Sequence, residues 1–341
     1  MVHGLAGGVQ CDDKFTNKTI HCDRMTKAEG DMTLESVSNK GINHEQDTGE
    51  LAQQQRAIYN SPENFFNWSW PSVPRHQFLS ERDRAFDPDG ATGLIELDIS
   101  DKLQTPYPAT IPAILARYIR INADDKINHS FIASGEVYYV LQGDGVSSNG
   151  ADKVSWGTGD VFCFPGGNET THTADNTAII FCVTNEPLLA FENLQAPLPG
   201  KSKNETVHWP HEEIEKHLSA IYERPKTAET SGVSIQFSTP ATAPSRNTIP
   251  MVNTAINTLE PGGDQRPHRH NGAAITLAIE GEGIHSMIED EKVPWVSGAA
   301  QITPGAELHS HHNRGNRRMR SFVIQDEGLH FYLRTPGFSW D

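Results

Sequence analysis

The chain has 341 residues, which at about 150 residues per domain is enough for two ordinary cores and too long for one small module. A hydrophobic content of 36% with 28 glycines argues against disorder throughout. Lys and Arg number 28 against 44 Asp and Glu, and the formal charge of −16 argues against nucleic acid or a membrane surface as a partner.

In chain order, residues 1 to about 60 are polar and lack a sustained period, so they read as an extension with a weak helical pattern between Glu45 and Tyr59. The start, MVHGLAGGVQ, lacks the basic end and apolar run of an export signal, and Cys11, Cys22, Cys163 and Cys182 form no C-x-x-C pair. A reducing, cytoplasmic setting is expected. The aromatic stretch Phe65, Phe66, Trp68 and Trp70 is expected to pack, within an extension over residues 1–90, on a first barrel.

From Gly93 the texture changes to short β-rich runs separated by turn residues, ILARYIRI, EVYYVLQG, DVFCFPGG and AIIFCVT, which predict an all-β domain over 91–195. Residues 207–223 carry apolar positions at Ile214, Leu218 and Ile221 behind an early Pro and acidic first turn, the pattern of a helix, within a linker assigned to 196–245. Strands resume over 246–341. The two halves repeat: Glu136–Gly143 matches Ala274–Gly281, 138 residues on, and Gly159–Gly166 matches Gly298–Gly305, 139 residues on. Two anchors agreeing within one residue imply duplicated β domains.

The second half holds Pro267-His268-Arg269-His270 and, after further strands, His309-Ser310-His311-His312-Asn313. In a strand, residues two apart share a face, so His268 and His270 point together, and His309 supplies a third nitrogen if the barrel brings its strand alongside. Three neutral imidazoles suit one divalent metal, with the element open among Fe, Mn, Ni, Cu and Zn. His311 is expected to face the same cavity, where an imidazole near neutral pKa moves a substrate proton. Among Arg314, Arg317, Arg318 and Arg320, the last sits well into a strand and is the candidate for a substrate carboxylate. The first half keeps His129, Glu136 and His172, with Phe131 in place of the second histidine, as a secondary candidate metal set.

These strings, P-x-H-R-H, the Glu280–Gly283 turn and I-T-P-x4-H-x-H-x-N, resemble the double signature of the cupin superfamily. Residues 93–341 are similar to a bicupin, and the second half most resembles the gentisate 1,2-dioxygenase and salicylate dioxygenase group. The resemblance implies two jelly-roll (double-stranded β-helix) domains in tandem with a connecting helix, and Fe(II) on His268, His270 and His309, with His311 near the substrate. Zn, Mn or Ni is the alternative cofactor. The fourth, acidic ligand of many cupins falls at Ala274, which the group shares and which leaves room for substrate and O2 together. Two departures stand out. The group's usual Gln and carboxylate-holding Arg after H-R-H are Gly272 and Thr276 here, and the group's working motif is in the first cupin rather than the second.

The expected activity is a mononuclear non-haem Fe(II) dioxygenase in aromatic compound catabolism, acting with O2 on a small hydroxylated aromatic or enol-like substrate, as a homodimer or homotetramer. The alternatives are a redox-neutral metal isomerase, lyase or hydrolase, and a non-catalytic binding or storage bicupin.

Overall fold

The structure is a computed structural model that describes residues 48–62, 66, 71–224 and 233–340. Two compact units are present, Met1–Trp68 and Ser69–Asp341. In the first, α1 (Thr48–Gln55) falls inside the stretch whose pattern predicts a helix. Phe65, Trp68 and Trp70 of the expected aromatic packing lie outside the described residues.

The second unit is built from β strands in two barrels, the all-β tandem expected of the repeat. It begins with β1 (His76–Gln77) and α2 (Leu79–Phe86). The first barrel then contains β2 (Gly93–Glu96), a short α3 (Ser100–Leu103), β3 (Leu115–Ile121), β4 (Lys126–His129), β5 (Gly135–Gln142), β6 (Asp144–Asn149), β7 (Asp152–Gly157), β8 (Val161–Pro165), β9 (Thr170–Ala174), β10 (Ala178–Thr184), α4 (Glu186–Phe191) and β11 (Val207–Trp209). A six-stranded sheet, β11-β8-β5-β10-β3-β2, faces a four-stranded sheet, β4-β9-β6-β7. Helix α5 (His211–Tyr222) leads to the second barrel.

That barrel contains β12 (Val233–Phe237), β13 (Asn253–Leu259), β14 (His268–His270), β15 (Ala274–Glu280), β16 (Ile284–Ile288), β17 (Glu291–Pro294), β18 (Ala300–Thr303), β19 (His309–Asn313), β20 (Met319–Gln325), α6 (Glu327–Leu333) and β21 (Phe338–Trp340). Its sheets are β1-β18-β15-β20-β13-β12 and β17-β16-β19-β14-β21.

Two boundaries differ from the sequence reading. β1 pairs with β18, and Arg75 bonds Glu291 and Glu307, so the chain before the first barrel adds an edge strand to the second one. β12, placed by pattern in the linker, pairs along its length with β13. Neither short segment alternates strongly enough to announce itself.

Alternation explains the core. In β5, Val137 and Tyr139 face the second barrel while Tyr138 and Val140 face the interior of their own. In β20, Phe322 and Ile324 pack between the barrels and Met319 faces inward. The two six-stranded sheets therefore lie face to face, and β3 and β10 are buried along their whole length, β10 as an almost wholly apolar run and β3 with Arg117 and Arg120 among its apolar residues. Tyr139 stacks on Phe322 at 5.2 Å across this seam.

The interiors diverge. The first is plugged by Tyr138, Phe162 and Phe164, with Tyr138 and Phe162 stacked at 4.6 Å. Strand register places Thr276, Gln301 and Thr303 at the same positions of the second barrel, because Tyr138 opposes Phe162 as Thr276 opposes Gln301. Replacing three rings by small or polar side chains hollows the second barrel and leaves it polar.

Candidate metal centre

The three predicted histidines meet. His268 and His270 point from β14, and register sets His268 opposite His309 on β19. Ring centroids are 4.3 Å apart for His268 and His309 and 4.6 Å for His270 and His309. One ligand atom from each lies within 4.8 Å of the others, and no other trio of His, Cys, Asp or Glu does so among the described residues. Arg269 points away, to Glu289 at 2.8 Å, as alternation requires.

Hydrogen bonds sort the nitrogens. The Nδ1–H groups of His268, His270 and His309 donate to the backbone carbonyls of Arg266, Gly272 and Glu307 at 3.0, 2.7 and 2.9 Å. A carbonyl can only accept, so each neutral ring carries its proton on Nδ1 and keeps the Nε2 lone pair free for a cation. Burial holds all three neutral by lowering their pKa values, His270 to about 4. The Gln325 amide donates to Nε2 of His270 at 3.0 Å, which fits that tautomer and means that a cation on His270 would take the place of this hydrogen bond. Neutral, buried, convergent imidazoles with their outer nitrogens tied down fit a divalent transition metal.

His311 enters the same chamber with the opposite polarity. Its Nδ1 lies 2.9 Å from the Ser286 hydroxyl, which accepts from Trp295 Nε1 at 2.8 Å and from the Gln301 amide at 2.7 Å. With both lone pairs of that oxygen filled, its hydrogen goes to His311 Nδ1, and the imidazole proton sits on Nε2. His311 thus presents an N–H where its neighbours present lone pairs. The near-neutral pKa expected of it is not found: burial lowers it to about 3.

Two connected spaces surround these rings. An inner chamber of about 30 Å³ is lined by all four histidines with Ala274, Thr276, Thr303 and Gln325. An outer chamber of about 450 Å³ shares His268, His270 and Gln325 and extends past Asn257, Met319 and Phe338. Phe338 of β21 stacks on His268 at 5.1 Å, which fixes that ring from the rim. Ala274 opposes Gln325 in register, so the amide stands across from the position where an acidic ligand would otherwise project.

Arg320 is elsewhere. It shares the parity of Phe322 and Ile324, which face the first barrel, and its guanidinium pairs with Glu215 of α5. It lines neither chamber. Arg314, Arg317 and Arg318 are likewise held outside, by Asp264, Glu280 and Glu260. Asn313 is structural: its amide donates to the Leu259 and Arg317 carbonyls at 2.9 and 2.8 Å.

The secondary set does not gather into a comparable trio. His129 opposes Thr170 as His268 opposes His309, and Ser147 opposes His172 as Ser286 opposes His311. His172 is therefore the counterpart of His311, and the third ligand position holds Thr170. Phe131 stacks on His129 at 4.0 Å, and His129 Nε2 lies 2.9 Å from His172 Nε2. Glu136 accepts from Tyr138 and from Thr170, and burial raises its pKa to about 7. Ser286, Trp295, Gln301 and Gln325 escaped the sequence reading, although the constant offset of 139 from Ser147 and Trp156 signals the first two.

Buried titratable groups make the metal-free fold acid-sensitive. His129, His172, His268, His270, His309 and His311 are neutral in the fold, whereas each takes a proton in the unfolded chain below about pH 6.5. The unfolded state then binds more protons, so their contribution is lost as pH falls through 6.5. Glu136 and Asp326 act oppositely, since burial raises their pKa values to about 7, and burial shifts Glu327 in the same direction. Six histidines outweigh three carboxyls. The melting temperature of metal-free protein, by scanning calorimetry, is expected to be lower at pH 5 than at pH 7, and a flat or rising value would contradict this account.

Residues 255–325 match the family described as Cupin domain. A gentisate 1,2-dioxygenase of Ralstonia sp is 32% identical over 77 residues, a match spanning 23% of this chain and 22% of that relative. The salicylate 1,2-dioxygenase of Pseudaminobacter salicylatoxidans superposes with a TM-score of 0.67 at 14% identity, covering 87% of this chain and 99% of that one. Its structure in adducts with gentisate gives 0.68 at 13% identity, covering 87% and 95%. The chain is a tandem of two cupin barrels, with the fold of salicylate 1,2-dioxygenase and a second barrel similar to part of a gentisate 1,2-dioxygenase.

Proposed function

We propose that this chain is a mononuclear non-haem Fe(II) dioxygenase that acts with O2 on a small hydroxylated aromatic or enol-like substrate. The observation that carries the reading is the sorting of nitrogens in one chamber: three Nε2 lone pairs from His268, His270 and His309 beside one Nε2–H from His311. Iron(II) on the three histidines would supply open coordination positions at which a chelating substrate and O2 meet. His311 donates to a substrate oxygen as negative charge grows there. Leu259, Met319, Val323 and Phe338 form the apolar part of the outer wall and limit water around the reacting groups.

Support comes from Ala274, which withholds a fourth ligand, and from the named activity of the relative that matches the second barrel. The same reading includes a homodimer or homotetramer in the cytoplasm, a setting that the unpaired, buried thiols of Cys163 and Cys182 suit.

Elemental analysis of untagged protein, followed by ferrous reconstitution and oxygen-electrode traces with gentisate, salicylate, hydroxynaphthoate and diketones, tests it. About one iron per chain and O2 uptake with a member of the panel are expected. Protein that takes no metal would point to a binding or storage bicupin. Metal at full stoichiometry, with turnover of a panel compound and no oxygen consumed, would establish the redox-neutral alternative.

A further inference from the structure

The inner and outer chambers differ in charge. Among the described residues no permanent cation lines the chamber around the histidines, and Thr276, only 2% exposed, stands among them. Among the described residues that line the outer chamber there is one, Arg246, on the turn that precedes β13. Its guanidinium has no hydrogen-bond or ion-pair partner among the described residues, whereas Arg314, Arg317, Arg318 and Arg320 are all paired with carboxylates. The one acid among the described residues of that lining is Glu327, whose burial disfavours its charge.

Arg246 is also held in place. Its backbone is left-handed, with φ of 57°, and its carbonyl accepts from the buried Asn253 amide at 3.2 Å. A non-glycine residue kept in that region needs its surroundings to fix it, so the exposed side chain leaves the backbone from a set position at the chamber edge.

We propose that Arg246 is an anion subsite that binds the acid group of a bipartite substrate. On this assignment, which rests on the chelating role given above to the three histidines, the adjacent oxygens of the substrate sit in the inner chamber. A carboxylate carried on a short side chain reaches the outer one. The acid is then separated from the chelating pair rather than ortho to it. A planar, permanently charged fork suits a carboxylate, and an outer chamber of about 450 Å³ has the size of a small-molecule pocket and room for such a tail.

Calorimetric titration of ferrous-reconstituted protein under nitrogen tests this without turnover. The probes are 3,4-dihydroxyphenylacetate and 3-(3,4-dihydroxyphenyl)propionate, their methyl esters, 4-methylcatechol and salicylate. Each side-chain acid is expected to bind about tenfold tighter than its ester, as for a hydrogen bond to a charged group. Arg246→Gln removes that preference by weakening the acids alone, Arg246→Lys keeps part of it, and salicylate is unaffected by either change. Equal binding of acid and ester to the native protein overturns the subsite, as does an Arg246→Gln variant that weakens acids and esters alike or weakens salicylate. If 4-methylcatechol binds in those cases, the chelating role of the histidines survives. If no catechol binds the iron-loaded protein, that role fails and the subsite falls with it.

Discussion

Replacing His309 with alanine is expected to take bound metal from about one ion per chain to near none after dialysis against a weak chelator. Partners that only orient a ligand are typically worth 10- to 100-fold in metal affinity, so removing a ligand should cost more than about 100-fold. The reason is geometric. His268 and His270 share one short strand, and only His309, opposite His268 in register, closes the trio. The fold should survive, because the large apolar seam between the six-stranded sheets does not involve these rings. Circular dichroism and the melting temperature of metal-free protein check that point. Thr170→Ala, at the equivalent position of the first barrel, serves as the control and should leave the metal content unchanged. A His309→Ala protein that still holds metal at full stoichiometry would remove the three-histidine site from consideration.

What the sequence discloses here follows the period of the strands. His268, His270 and His309 were legible because residues two apart share a face and because a Pro-Gly turn marks the start of the later strand. The same rule, applied to Arg320, would have set it with Phe322 and Ile324 on the face turned to the other barrel, away from the chambers. His172 differs for a related reason. Its place in the secondary candidate set rests on its residue type, whereas the constant offset of 139 pairs it with His311.

The hollow in the second barrel was equally present in the repeat. Tyr138, Phe162 and Phe164 align with Thr276, Gln301 and Thr303, and an aligned loss of three rings is a cavity in a fold that conserves its strands. Arg246 had no such signal. It lies in a Ser-, Thr- and Pro-rich stretch without period, and what brings it to the chamber is a turn fixed by Asn253 seven residues later. Residues 76–77 and 233–237 were missed because isolated short edge strands carry little alternation, and their identity depends on the neighbours they pair with.

His311→Ala is expected to lower kcat by about 10²- to 10³-fold while the metal content stays at the native level, as for the loss of one preorganised donor. Trp295 sets the polarity of the chain that ends at His311. Its indole N–H can only donate, and it fills one lone pair of the Ser286 oxygen, while the Gln301 amide fills the other. The serine hydrogen is thereby committed to Nδ1 of His311, and the ring must carry its own proton on Nε2, the side that lines the inner chamber. A ring so protonated is no metal ligand, which is why the metal should remain. His311→Gln retains an N–H and should recover part of the rate. Ser286→Ala frees the ring to change tautomer and strands the indole and amide donors, so it should reduce kcat and also cost about 1–3 kcal/mol of stability for each buried donor left unsatisfied. Steady-state oxygen uptake together with iron analysis separates the outcomes. Loss of iron in His311→Ala would make this histidine a ligand after all, and an unchanged kcat would leave the Trp295–Ser286–His311 chain, whose counterpart in the plugged first barrel is Trp156–Ser147–His172, a purely structural feature.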